Sequence, residues 1–203
     1  MFLVNPDIQS ASIKKALYFL NKAKLCHKVS NCIANGLPLG AGIKEQAFKT
    51  IFLDIGLSAA ALGFNYNQIQ NINDILFINR GGLAEQTLGQ ILRTIDAPYI
   101  EPALYYWHRE EKGSQAEIDY LIQHGSAIVP IEVKAGSTGS LKSLHFFMKA
   151  KGFKLALRIN SDLPSLTPVH LHEAQYHFCS LPFYLSGQIH RILDLCSNIV
   201  DFV

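Results

Sequence analysis

The chain has 203 residues, 49% hydrophobic and 17% charged, which is enough apolar content for a packed core and excludes a disordered chain. Its 18 basic and 16 acidic residues leave a formal charge of +2, so any nucleic-acid role must rest on a local basic patch rather than on global charge. Four cysteines without a C-x-x-C pair, no apolar run near the ~20 residues of a membrane span, and an N-terminus without a basic n-region or apolar h-region predict a reduced, cytoplasmic chain with no membrane association.

In chain order, Ile13, Ala16, Leu17, Leu20 and Leu25 recur at helical spacing and predict a helix over 12–24, with Ser10 or Ser12 as its N-cap. An extended segment, 26–32, a Gly/Pro-rich turn at 35–40 and a second extended stretch near 48–53 follow. A basic helix and then a two-stranded ribbon reads as the last part of a winged helix, so residues 1–64 are taken as a partial winged-helix-like segment. Its lysines could meet a DNA backbone or simply form a solvated face. An alanine-rich helical piece runs to Leu62. The polar stretch from Asn65 to Asn73 marks a linker, bounded at 65–80, and Leu83, Leu88, Ile91, Leu92 and Ile95 predict an amphipathic helix after Arg80-Gly81-Gly82. Beyond Pro98 the period changes to two, giving strands at 104–107, 118–122 and 127–133. A helix over 141–151, a fourth strand over 153–159, a mixed tail and a final helix over 186–196 complete the second unit, 81–203.

The segment from Glu117 to Lys134 carries the chemistry. His124-Gly125 is an acceptable two-residue hairpin turn, since glycine tolerates positive φ. That register sets Glu132 opposite Glu117 and Asp119 opposite Pro130, so residues 117, 119, 132 and 134 project from one side, with Asp119 and Glu132 diagonal neighbours. Ile118, Tyr120, Ile122, Val129, Ile131 and Val133 then form the opposite, apolar face. Two carboxylates at this spacing suit Mg²⁺, which takes a few hard oxygen ligands and keeps several waters. Such an ion polarises a phosphodiester and acidifies a bound water, and a nearby lysine steadies developing negative charge. Glu85, on the preceding helix, is the candidate further carboxylate. Taken alone, Glu132-Val133-Lys134 is equally an ordinary solvated ion pair on a strand.

Gly81-Gly82-Leu83-Ala84-Glu85, Tyr106-Trp107-His108-Arg109, Glu117-Ile118-Asp119-Tyr120 and Val129-Pro130-Ile131-Glu132-Val133-Lys134-Ala135-Gly136 occur in this order. Together they resemble the uncharacterised C-terminal domain of the large prokaryotic family of predicted AAA+ ATPases. Residues 31–39, 48–57 and the first helix share that resemblance, which covers about residues 5–190. It implies an α/β fold with a PD-(D/E)xK restriction-endonuclease-like core, a mixed sheet flanked by helices, behind a winged-helix-like segment. It also implies that Lys134, Glu132 and Asp119 are catalytic, that Glu85, Asp119 and Glu132 hold Mg²⁺, and that DNA or RNA is the substrate. An AAA+ ATPase is the implied partner. The chain has no P-loop sequence, and Gly36, Gly40, Gly42 and Lys44 have the wrong spacing for one. ATP hydrolysis by this chain is therefore not expected, and it reads as a C-terminal portion. A non-catalytic module that binds nucleic acid or protein beside an ATPase is the alternative, and a remnant that only assembles with such an ATPase is a third reading.

Other features carry less. His170-Leu171-His172-Glu173 reads as an exposed strand rather than a metal site, and Cys26-His27 with Cys32 lacks a second zinc-ligand pair. Tyr105, Tyr106 and Trp107 could stack on bases but read better as packing. Residues 108–112 read as a solvated loop in which Arg109 or Lys112 could touch phosphate. Lys142 and His145 are candidates to face the acidic cluster.

Overall fold

A computed structural model describes residues 9–61, 63, 75–111, 114–136 and 140–200. The elements in chain order are α1 (Ser10–Lys22), β1 (Cys26–Cys32), β2 (Ile43–Phe52), α2 (Ile55–Ala61), α3 (Ile75–Leu92), β3 (Leu104–Glu111), β4 (Ser114–His124), β5 (Ala127–Val133), α4 (Lys142–Lys151), β6 (Leu155–Asn160), β7 (Ser165–Leu171), β8 (Ala174–Pro182) and α5 (Ile189–Ser197). Short 3₁₀ helices, Leu39–Gly42 and Phe183–Gln188, precede β2 and α5. No helix among the described residues is long and apolar enough to cross a membrane.

Eight strands among the described residues form one mixed sheet in the order β2-β1-β3-β4-β5-β6-β8-β7. Its centre is an antiparallel meander, β3 to β5, followed by a crossover through α4 that lays β6 parallel to β5. Strand β8 continues the sheet parallel to β6, and β7 closes that edge antiparallel to β8. One core cluster joins Leu88 and Leu92 of α3 and Ile189 and Leu193 of α5 to Tyr120, Ile122, Val129, Ile131 and Val133. The other joins Leu144, Phe147 and Met148 of α4 to Trp107, Ala116, Ile118, Leu121 and Ile128. Helices thus cover both faces, which is why β5 and β6 read as nearly continuous apolar runs.

The ribbon read as a wing is present, and it belongs to this sheet. Strands β1 and β2 pair antiparallel from Cys26↔Phe52 to Cys32↔Ile43, and β1 also pairs parallel with β3 at Val29↔Leu104, Ser30↔Tyr105 and Asn31↔Tyr106. The boundary set at residue 80 falls inside α3, which runs through Gly81-Gly82. Of the linker expected over 65–80, residues 65–74 lie outside the described residues. Helix α1 starts at Ser10 itself. Its cap is Gln9, whose carbonyl accepts from the Ser12 and Ile13 amides, and no side-chain cap bond forms.

The hairpin differs from the expected register by one step. The pairs are His124↔Ala127, Gln123↔Ile128, Ile122↔Val129, Leu121↔Pro130 and Tyr120↔Ile131, so Gly125-Ser126 is the turn and Pro130 faces Leu121, not Asp119. Gly125 takes φ +57 at the first turn position, where type II′ turns place glycine. Glycine at that position, rather than at the second, is what moves the register. Because paired positions shift by two, no side chain changes face for this reason.

A bulge does move side chains. Tyr105 pairs with Leu121 but Trp107 pairs with Ile118, so β4 has an extra residue between 118 and 121. Period-two counting puts Ile118, Tyr120 and Ile122 on one face, whereas Ile118 packs toward α4 and Tyr120 and Ile122 pack toward α3. Asp119 sits at this switch.

Candidate functional site

The bulge lies next to the place where β4 and β5 part. Their backbone pairing stops at Tyr120↔Ile131. Beyond it the Val133 amide donates to Asp119 Oδ2 at 2.7 Å, a carboxylate taking the place of a strand carbonyl. The same strand end carries Glu132 and leads into Lys134, whose Nζ lies 2.5 Å from Glu132 Oε1. Glu132 is 6% exposed, and its Oε2 is buried with no hydrogen-bond partner among the described residues.

Glu85 reaches the same place from α3, held there by three contacts. Tyr120 Oη donates to the Glu85 carbonyl at 2.9 Å. Gln86 next to it accepts from the Phe52 amide at 2.9 Å and donates to the Phe52 carbonyl at 3.0 Å, fastening α3 to the end of β2. One turn later Gly89 lets the helix approach the sheet, since a Cβ there would run into the Tyr120 hydroxyl and come within 2.8 Å of Ile51 Cδ1. Carboxylate oxygens of Glu85, Glu117 and Asp119 consequently lie within 4.8 Å of one another.

A cation from outside this segment enters the group. Lys49 Nζ of β2 lies 2.7 Å from Glu85 Oε1, contacts Glu117 Oε1, and sits 4.8 Å from the Tyr106 ring centre. Burial opposes its charge, but Glu85 and Glu117 more than offset that and raise its pKa. Asp119 is pushed strongly toward neutrality. Burial, then the charges of Glu132 and Glu85, push its carboxyl up to about 7, against the Val133 hydrogen bond and Lys49. Burial also raises Glu132, with Lys134 pulling the other way.

The structure therefore gathers Glu85 and Asp119, as the sequence predicts, with Glu117 as the third convergent carboxylate. Glu132 stands beside this group rather than in it, joined to Lys134 and acting on Asp119 through its charge. Glu117 lies on the predicted acidic side and within the Glu117-Ile118-Asp119-Tyr120 motif, but the motif assigns it no metal or catalytic role. Lys49 carries no local signal at all, because its partners lie 36 and 68 residues further along the chain. Four carboxyls against two ammonium groups leave an acid excess. The all-carboxylate oxygen set of Glu85, Glu117 and Asp119 fits a hard divalent cation, and the buried, unpartnered Oε2 of Glu132 stands beside it.

Other candidate residues find structural partners. Trp107 is buried against Phe146 and Phe147, and the Arg109 guanidinium lies over the Phe146 ring at 4.4 Å. His145 Nδ1 is 2.8 Å from the Tyr176 hydroxyl and so engages β8 rather than the acids. His170 lies on β7, while His172 and Glu173 form the β7–β8 turn, with Glu173 paired to Lys149. All four cysteines are buried and free, and Lys112 lies outside the described residues.

Residues 80–179 match the model of a protein family described as a domain of unknown function (DUF4143). That span holds Glu85, Glu117, Asp119, Glu132 and Lys134 and leaves Lys49 outside. No curated protein matches the chain.

Proposed function

We propose that the chain is a divalent-metal-dependent nuclease module, hydrolysing phosphodiesters of DNA or RNA at the open end of the β4–β5 hairpin. The observation that carries this reading is the convergence of Glu85, Glu117 and Asp119 beside a buried Glu132–Lys134 pair. The order helix, three antiparallel strands, helix, parallel strand supports a PD-(D/E)xK type of core around it. Glu85, Glu117 and Asp119 would hold Mg²⁺, with Glu132 completing the negative field. The ion supplies polarisation of the phosphodiester and a more acidic water. Lys134 steadies the negative charge that develops on the phosphate, and Glu132 keeps its ammonium in place. Asp119 must give up its proton to act as a ligand, and a cation replaces the burial penalty with attraction.

The test is incubation of the purified chain with plasmid DNA and structured RNA in Mg²⁺ or Mn²⁺. Cleavage is expected to disappear in Asp119→Ala and in Lys134→Ala. Cleavage surviving both substitutions would sink the assignment.

One observation favours a second reading. Lys49 already satisfies Glu85 and Glu117, as in a charge-balanced site that needs no metal. On that reading the chain is a non-catalytic module that docks nucleic acid or a protein, including an AAA+ ATPase. Its signature is salt-dependent oligonucleotide binding without turnover, together with no heat of Mn²⁺ binding.

A further inference from the structure

The ammonium of Lys49 stands where a metal ion would stand. It is bound to two of the three convergent carboxylates, Glu85 and Glu117. It comes from β2, in a part of the chain that lies outside the family match at 80–179. We propose that Lys49 is a built-in competitor of the divalent cation, so that the segment before α3 gates the acidic site. This inference rests on the metal-binding reading given above.

Three observations carry it. First, the position is fixed by backbone rather than by a chance side-chain rotamer. Lys49 is opposite Val29 in the β1–β2 ladder, Ile51 two residues on lies in the α3 core, and Gln86 ties the end of β2 to α3 beside Glu85. Second, ammonium and metal cannot share the site. An N–H···O contact of 2.7 Å holds Glu85 at a distance suited to nitrogen, whereas Mg²⁺ draws oxygens to ~2.1 Å and sets neighbouring ligands ~3 Å apart. The present spread of up to 4.8 Å must close, and a like charge left among the ligands would oppose the ion directly. Third, Lys49 leaves part of the acidic charge unmet. Asp119, the third convergent carboxylate, accepts from the uncharged Val133 amide rather than from an ammonium, so the cluster retains attraction for a cation with more charge than an ammonium. The exchange is a simple one. Lys49 leaves the carboxylates still protonated and turns toward solvent, to which its side chain is already 22% exposed.

The gate makes metal affinity depend on whether β2 stays docked. Calorimetric titration of Mn²⁺ into the whole chain and into Lys49→Met tests this. The variant is expected to bind about tenfold or more tightly, because a positive charge within a few ångströms of the ion is gone, and Lys49→Arg is expected to behave like wild type. Equal Mn²⁺ affinity in wild type and Lys49→Met overturns the gate and leaves the metal-binding reading standing. No Mn²⁺ binding to either overturns both. A measurement on the unmodified chain guards against misfolding of the variant. Nitrogen-15 lysine side-chain spectra are expected to show the Lys49 ammonium protected from exchange without metal and exposed when Mg²⁺ is added. A Lys49 signal unchanged at saturating Mg²⁺ overturns the proposal.

Discussion

The two ends of the β4–β5 hairpin both gather acids and bases, and they do so in opposite surroundings. At the closed end, His124 Nδ1 meets His190 Nδ1 at 3.1 Å, His124 Nε2 lies 3.1 Å from Asp194, and His190 Nε2 lies 3.4 Å from Asp96. The carboxylates there face water, with the Asp194 side chain 71% exposed. At the open end the pairing stops, the strand carries a bulge, and Glu132 has only 8% of its side chain exposed. Solvent screens the first group and screens Glu132 far less. At the open end burial and the charges of neighbouring carboxylates raise the pKa of Asp119, and burial raises that of Glu132. Burial of like charges, more than their number, distinguishes a candidate reactive site from a decorated turn.

Removing Lys134 should give the sharpest contrast. Lys134→Met leaves Glu132 buried with neither of its oxygens paired and is expected to cost about 3 kcal/mol in urea denaturation at pH 8. A loss below ~1 kcal/mol would mean that water reaches Glu132 and that the two ends are alike.

The pH dependence comes next. Asp119 titrates near 7 when folded and near the ordinary ~3.9 when unfolded. Between those values the folded chain holds a proton that the unfolded chain has released. Its stabilising contribution is full below pH ~4 and is lost as pH rises through 7. Asp119→Asn keeps an acceptor for the Val133 amide but cannot ionise. It should gain on the order of 2 kcal/mol over wild type at pH 8 and show a flatter stability profile from pH 4 to 8. An unchanged slope would place the titrating group elsewhere.

Gly89→Ala forces a methyl group against Tyr120 and Ile51 and is expected to lower stability by ~1–3 kcal/mol, with Mn²⁺ affinity falling because Glu85 is carried on the same helix. Thermal melts and Mn²⁺ titration read the two effects. Tyr120→Phe removes one hydrogen bond to the Glu85 carbonyl, for about 1 kcal/mol. Smallest of all, Asp194→Ala at the closed end should stay within ~0.5 kcal/mol. A larger loss there would show that the histidine chain is structurally important and would blur the contrast between the two ends.

Much of the fold was legible in the residues. The helix at 142–151 and the strands at 26–32 and 127–133 follow from period and punctuation, because each buries a regular face. Strands β7 and β8 were harder to read. The edge strand β7 carries Pro168, which an edge tolerates, and its apolar residues are split between the two faces, Leu166 against one core cluster and Val169 and Leu171 against the other. Gly81-Gly82 reads as a break in one dimension, yet α3 passes through it. His124-Gly125 and Gly125-Ser126 are equally good turns in one dimension, and the folded sheet takes the second.

By itself the sequence determined which acids and which lysine lie close in the chain: Glu117 and Asp119 on one strand, Glu132 and Lys134 on the next. Local alternation and a short turn fix those relations. The tertiary structure alone decided that a bulge brings Tyr120 and Ile122 to the α3 side, that Glu117 and not Glu132 joins Glu85 and Asp119, and that Lys49 enters from β2. These depend on where two strands separate and which strand packs beside them. Such long-range contacts are chosen by the burial of the whole sheet, and no local pattern around Lys49 records them.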